Sequence, residues 1–326
     1  MDPGWLGDQI AADGISEINV SVMGGNAHLV VVEPAPAMMG WAAGRLRQLE
    51  ARWSRFLADS EISHLNRCPQ HPTHVSADTF SLVSRMIAAW TATDGAFDPT
   101  VHDALVRLGY DRTFAETRDL HHDRSPARPA AIARTPGCAG IILDPHARTV
   151  LLPAGVRLDP GGIGKGLAAD IVATELVERG ATGACVNVGG DIRVTGKAPS
   201  PHGWAVSVED PHDANQRMAA LVLQDCGIAS SSVLHRRWGA GNHHVIDPRT
   251  ATPTASDIHA VSVVAQTAAD AEVLTTTILV NGLQASVALL TGGATALVTL
   301  SDGHHQRTVG WPPESLDHQP EARLIS

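Results

Sequence analysis

The run Leu158-Asp159-Pro160-Gly161-Gly162-Ile163-Gly164-Lys165-Gly166-Leu167-Ala168-Ala169-Asp170 constrains this chain more than any other segment. It places four glycines within six residues, between an extended stretch and a helical one. Val150–Leu152 reads as a strand before it. After it, Leu167–Glu178 carries apolar residues at helical spacing until Arg179-Gly180 stops the pattern. A backbone that turns so tightly into a helix presents its first amides, and the positive end of the helix dipole, to whatever lies in front. Lys165 adds a full positive charge. The segment is not a P-loop, because Asp159 stands where the first Gly is required and no Ser or Thr follows Lys165. Nor does it keep the G-x-G-x-x-G register of a dinucleotide fold. Two readings stay open: an anion cradle, or a tight strand-to-helix turn with an exposed lysine.

The rest of the chain alternates strand and helix signals. Ile18–Glu33 alternates apolar and polar residues and predicts two strands broken at Gly24-Gly25. Trp41, Leu46, Leu49, Trp53 and Phe56 mark one stripe of a helix over about Met38–Phe56, and a second helix is predicted over Ala77–Thr93. Tyr110–Pro136 has little periodicity and is expected to be a surface excursion. Strands are predicted at Ala184–Val188, Ile192–Thr195, Trp204–Val208, His259–Ala265 and Ala296–Leu300. A helix over Ala268–Val280 should stop at Asn281-Gly282, with a short helix near Leu283–Leu290. Strand clusters interleaved with helices, without a regular βαβ period, favour an α+β fold with mixed or antiparallel sheets and packed helices. With no internal repeat and no compositional break, residues 1–326 are expected to form a single domain, its motif-bearing core over about 18–300.

Charge and composition narrow the function classes. The 24 basic and 34 acidic side chains leave a net charge of −10, and the pI is near 5.9, which argues against nucleic acid as a partner. No apolar stretch approaches the ~20 residues of a membrane span. The N-terminus lacks the basic start and apolar core of a signal peptide, so a cytoplasmic location is expected. Cys185 and Cys226 sit in apolar runs and read as small core residues. Cys68, His71 and His74 are spaced faintly like a transition-metal site, but intervening prolines favour a surface turn.

Further segments accompany the glycine run. They are Ser54-Arg55-Phe56 with Asp59-Ser60-Glu61-Ile62-Ser63-His64-Leu65-Asn66, then Gly95-Ala96-Phe97-Asp98-Pro99-Thr100-Val101, then Asn187-Val188-Gly189-Gly190-Asp191. Ser230-Ser231, His244-Val245-Ile246-Asp247-Pro248 and an acidic-x-x-x-Thr pattern before Asn281-Gly282 complete the series. Glu272, Thr275 and Thr276 would stand at i, i+3 and i+4 of the last long helix, where a carboxylate and two hydroxyls share one face. Such oxygens suit Mg²⁺, although a solvated Glu beside two packing threonines has the same pattern.

In this order the motifs resemble the ApbE family of FAD:protein FMN transferases, from about Val22 to Gly282. The resemblance implies a single ApbE-like domain that binds FAD and Mg²⁺ and breaks the flavin pyrophosphate. FMN would pass through a phosphoester to a Ser or Thr of an acceptor protein, and AMP would leave. The alternatives are an FAD pyrophosphatase giving FMN and AMP, and a flavin-binding protein without turnover.

Site residues follow from the resemblance. Lys165 would hold the pyrophosphate. Asp98, with the backbone of Ala96 and Phe97, would contact FAD, while Met23, Phe56, Ile171 and Ile246 would line its site. Glu272, Thr275, Thr276 and the carbonyl of Ala168 would hold Mg²⁺. His244 would be the general base for the acceptor hydroxyl, with Asp247 as its rival. Asp159 and Asp170 would be structural carboxylates, at the glycine turn and a helix start. The sequence departs from the family at Gly25, Ser232, Ala251 and Glu272, which replace Thr, Gly, Gly and Asp respectively. Counting from His244 selects Glu272 over Asp270.

Overall fold

The computed structural model describes residues 14–119, 134–213, 215–239 and 241–313. The chain opens with the hairpin β1 (Ile15–Val22) and β2 (Gly25–Val32). It continues through α1 (Met38–Trp53), α2 (Glu61–Arg67), β3 (Thr73–His74), α3 (Ala77–Ala92), α4 (His102–Arg107) and α5 (Phe114–Asp119). Next come β4 (Ile142–Asp144), β5 (Thr149–Leu151), α6 (Gly164–Glu178), β6 (Gly183–Val188) and β7 (Asp191–Gly196). Then follow β8 (Trp204–Glu209), β9 (Arg217–Leu223), β10 (Gly227–Ser232), β11 (Arg237–Trp238), β12 (Asn242–His243), β13 (Ile246–Asp247) and β14 (Thr252–Pro253). Last are β15 (Ile258–Ala265), α7 (Ala268–Asn281), α8 (Leu283–Ser286), β16 (Thr295–Leu300) and β17 (His305–Arg307). Most of the expected surface excursion, 120–133, lies outside the described residues.

An eight-stranded sheet in the order β1-β2-β6-β7-β10-β15-β16-β17 organises the molecule, and every neighbouring pair in it is antiparallel. This is the α+β architecture expected. Side-chain alternation sorts the β2–β6 part of the sheet into two cores. Ala27, Leu29 and Val31 of β2, with Ala184, Val186 and Val188 of β6, face α1 and α6. Val30, Val32 and Cys185 face the other way, against Trp204, Val206 and Leu221 of the β8–β9 ribbon. Both faces are thus covered, which explains why these strands read as nearly continuous apolar runs. Cys185 is buried as expected, whereas Cys226 is only half-buried beside the second core.

The site is positioned by the crossing of α6 and α7. A Cβ on Gly166 would stand 2.4 Å from the Ala268 carbonyl oxygen, so only glycine lets these two helix starts meet backbone to backbone. Asp170 locks the crossing. Its carboxylate accepts the Ala268 N–H at 2.9 Å and the Ala269 N–H at 3.0 Å, so it holds the start of α7 rather than of its own helix. Burial pushes its pKa up to about 6, against the opposing pull of those two amides. A folded value above the ordinary 3.8 means that ionising this group costs the folded state stability as pH rises through that interval. Asp170→Ala strips both amides of their acceptor and is expected to cost about 1–2 kcal/mol in urea unfolding at neutral pH. Asp170→Asn, which keeps one uncharged acceptor, should cost less; equal losses would refute the capping role.

Candidate functional site

The glycine turn is held from two sides before it reaches Lys165. The Asp159 N–H donates to the Pro99 carbonyl at 2.7 Å, and Asp159 Oδ1 accepts the Gly161 N–H at 2.7 Å. Asp159 Oδ2 lies 2.6 Å from Nε of Arg55, and both side chains are buried. The helix begins at Gly164, one turn earlier than its apolar pattern, so Lys165 falls in the first turn of α6.

Three elements converge on that lysine. Its ammonium is in close contact with Oδ2 of Asp191, the fully buried first residue of β7, and stands 3.1 Å from Glu272 Oε1. Glu272, 2% exposed in the second turn of α7, accepts the Gly166 N–H at 2.8 Å through its other oxygen. One lysine therefore faces two buried carboxylates. Burial, reinforced by the charge on Asp191, pushes the Glu272 carboxyl up to about 8, and burial also raises Asp191. Oδ1 of Asp191 is buried with no hydrogen-bond partner among the described residues. Lys165 is not the exposed lysine of the plainer sequence reading.

His244 lies between β12 and β13, near enough for the charges of Arg236 and Lys165 to act on it. Burial, then Arg236, His243 and Lys165, depress its pKa to about 3. The imidazole is therefore neutral at physiological pH, and burial and the two cations oppose its protonation. His243 is a neighbour tied to the Thr254 carbonyl at 3.1 Å. Asp247 is occupied by Arg249 at 2.9 Å.

The donors expected for a metal divide. Thr276 faces the glycine turn, its Oγ1 lying 3.4 Å from where a Cβ on Gly162 would stand. Thr275 turns to the sheet instead: its hydroxyl shares a hydrogen bond with Ser231 at 2.8 Å and donates to the Glu272 carbonyl. Ala168 is buried inside α6, where a helix carbonyl already accepts the amide four residues on. Among the described residues, no group of three or more His, Cys, Asp or Glu is placed to hold a metal. The set does fit a hard cation: two desolvated carboxylates, one with an unpartnered oxygen, lie at one end of α7 with the Thr276 hydroxyl one turn from Glu272. Asp270 sits apart, exposed and bonded to Thr267 as a helix cap.

The positions expected to contact the flavin are spread over several segments. The Phe97 ring packs on Gly162, where a Cβ would approach its Cε2 to 3.0 Å. Ala96 is buried beside it. The Asp98 carboxylate is already used, accepting the Thr100 N–H and hydroxyl within its own turn and the Thr135 hydroxyl from a distant segment. Met23 occupies a left-handed turn at φ 54° and donates its N–H to Glu50 at 2.7 Å. Ile171 is half-buried against the first core, while Ile246 packs with Tyr110 and Trp238 in a separate cluster. Phe56 is 36% exposed, with its ring centroid 5.6 Å from that of Tyr110. The sequence reading gave no role to Asp191, Arg55, Tyr110, Trp238 or Arg236.

The ApbE family model matches residues 23–298, which include every motif of this site. The chain belongs to the ApbE family. Among curated ApbE relatives, the FAD:protein FMN transferase of Treponema pallidum is 31% identical over 264 residues, covering 75% of this chain and 71% of that protein. The protein of the same name from Haemophilus influenzae is 29% identical, covering 73% and 70%. The crystal structure of the ApbE protein of Thermotoga maritima superposes with a TM-score of 0.80 at 25% identity, over 90% of this chain and 97% of that one. The flavin transferase ApbE of Vibrio cholerae shares the fold, with a TM-score of 0.74 at 22% identity over 90% and 96% of the chains.

Proposed function

We propose that this chain is a Mg²⁺-dependent FAD:protein FMN transferase, which attaches FMN through a phosphoester to a Ser or Thr of an acceptor protein and releases AMP. The observation that carries the reading is the buried Lys165–Asp191–Glu272 cluster, set where a glycine turn opens a helix. The first amides of α6 and the lysine favour a pyrophosphate, and the carboxylates favour a cation beside it. The names of the curated relatives support the same reaction.

Phosphoryl transfer asks the protein mainly for positioning and charge compensation. Phe97, packed on the glycine turn, and the exposed ring of Phe56 offer surfaces for a flavin, with Met23, Ala96, Asp98, Ile171 and Ile246 around them. Glu272 and Thr276 would hold Mg²⁺, with Asp191 behind them; Thr275 and Ala168 belong to the same assignment by family resemblance. The ion would supply positive charge against the pyrophosphate oxygens. His244, neutral in the folded protein, would accept the proton of the acceptor hydroxyl as that oxygen attacks the flavin-side phosphorus and AMP departs, bound pyrophosphate offsetting the charges of Arg236 and Lys165 that depress its basicity.

Incubation with FAD, Mg²⁺ and candidate acceptor flavoproteins tests this. Equimolar AMP and an acceptor mass increase matching FMN are expected. AMP with no modified acceptor would assign an FAD pyrophosphatase, and bound flavin with no AMP would assign a carrier.

A further inference from the structure

Outside the lysine cluster, Arg55 is an enclosed cation whose side chain is 5% exposed. Its Nε meets Asp159 Oδ2 at 2.6 Å, and an Nη2 hydrogen bond of 2.9 Å runs to the Tyr110 carbonyl. Its Cζ lies 4.1 Å from the centroid of the Phe56 ring and 4.7 Å from that of Tyr110. The Tyr110 ring continues onto Trp238, centroid to centroid 5.0 Å, and Trp238 donates its indole N–H to the Leu108 carbonyl at 2.5 Å. One guanidinium thus touches two structures. On its edge is Asp159, whose other oxygen holds Gly161 in the turn leading to Lys165. On its faces are the rings of an aromatic ladder that opens to solvent at Phe56.

Only a planar, multiply donating cation can serve both. A lysine could keep the ion pair with Asp159, but it would neither stack on two rings nor reach the Tyr110 carbonyl at the same time. Burial of so large a cation costs free energy, and its geometry is fixed only because a carboxylate, a carbonyl and two ring faces all claim it.

We propose that Arg55 is a positioning residue that sets the Phe56–Tyr110 aromatic face in register with the glycine turn, so that one ligand's planar ring and its pyrophosphate are held together. The inference rests on the flavin-transfer reading and deepens it. Arg55 acts through Phe56 and Asp159 rather than on the reacting atoms.

The test compares Arg55→Lys and Arg55→Met with the wild type, using riboflavin and FAD as probes and circular dichroism to confirm folding. Arg55→Lys keeps the charge for Asp159 and loses the stack. It should raise the Kd for riboflavin and the KM for FAD at least ten-fold, while kcat for AMP release falls less than three-fold. Arg55→Met should lower kcat as well, by ten-fold or more, because the turn loses its anchor. A purely structural role would lower melting temperature without this KM-against-kcat split in the lysine variant. Wild-type flavin binding with an unchanged Kd and KM in Arg55→Lys overturns the inference and leaves the function reading intact. A wild-type protein that binds neither riboflavin nor FAD overturns both.

Discussion

Glu272→Gln is expected to abolish Mg²⁺-dependent AMP release while the fold survives. The side chain is 2% exposed and shares its surroundings with the fully buried Asp191, so two carboxylates compete for one lysine. In metal-free protein this repulsion and the burial hold the Glu272 pKa near 8, against an ordinary 4.5. The folded value lies above the unfolded one, so the contribution to stability is complete below the ordinary value. It is lost as pH rises through the folded value. Wild-type protein in chelator should therefore weaken between pH 5 and pH 9, on the order of a few kcal/mol. The glutamine variant keeps the shape without the charge and should flatten that slope.

On the proposed reading Mg²⁺ would reverse the balance by neutralising what burial penalises. It should raise the melting temperature of the wild type at pH 8 and leave that of Glu272→Gln unmoved. Asp270→Asn should keep both the activity and the Mg²⁺ response. It loses only part of a helix cap with Thr267, worth about 1 kcal/mol. An inactive Asp270→Asn, or a glutamine variant still stabilised by Mg²⁺, would move the metal assignment elsewhere.

The selection of Glu272 over Asp270 shows what the sequence can carry. A count from His244 against the family register and a helical turn to Thr276 picked the carboxylate that the fold buries. Period-two and helical patterns likewise located six of the eight strands of the main sheet and the four long helices. They failed where composition does not declare the element. Met218–Leu223 of β9 is rich in Met, Ala and Leu, residues at home in helices, and β10 is small and Ser-rich. The strands form because the sheet and its covering ribbon need them.

Helical spacing alone does not tell Thr275 from Thr276. Positions i+3 and i+4 share a broad face, but β10 claims the first hydroxyl through Ser231 and leaves the second to the glycine turn. The contacts of Arg55 were out of reach for a different reason. Phe56 is its sequence neighbour, but Tyr110 and Asp159 come from two other loops, and no local pattern announces a contact across 104 residues of chain.

The largest loss of stability is expected from Lys165→Met. On sequence alone this lysine waits for a phosphate, and its removal should cost ligand affinity only. The fold gives it a second role, since its ammonium is the one basic side chain in ion-pair contact with Asp191 and Glu272 among the described residues. Taking it away strands Asp191 at 0% exposure beside a second carboxylate. Breaking a buried pair from one side typically costs about 3–5 kcal/mol, well above a lost surface contact. The variant should take up protons on folding at neutral pH to relieve the repulsion, so its stability should fall more steeply with rising pH than that of the wild type. Lys165→Met combined with Asp191→Asn removes both charges of the pair and should regain much of the loss, giving strong non-additivity in a double-mutant cycle by urea unfolding. FAD affinity should stay low in the double variant, because the restored fold still lacks the cation for the pyrophosphate. Additive losses would mean that the lysine and Asp191 do not depend on each other in the folded protein. Full FAD affinity in the double variant would mean that the glycine turn binds the pyrophosphate without Lys165.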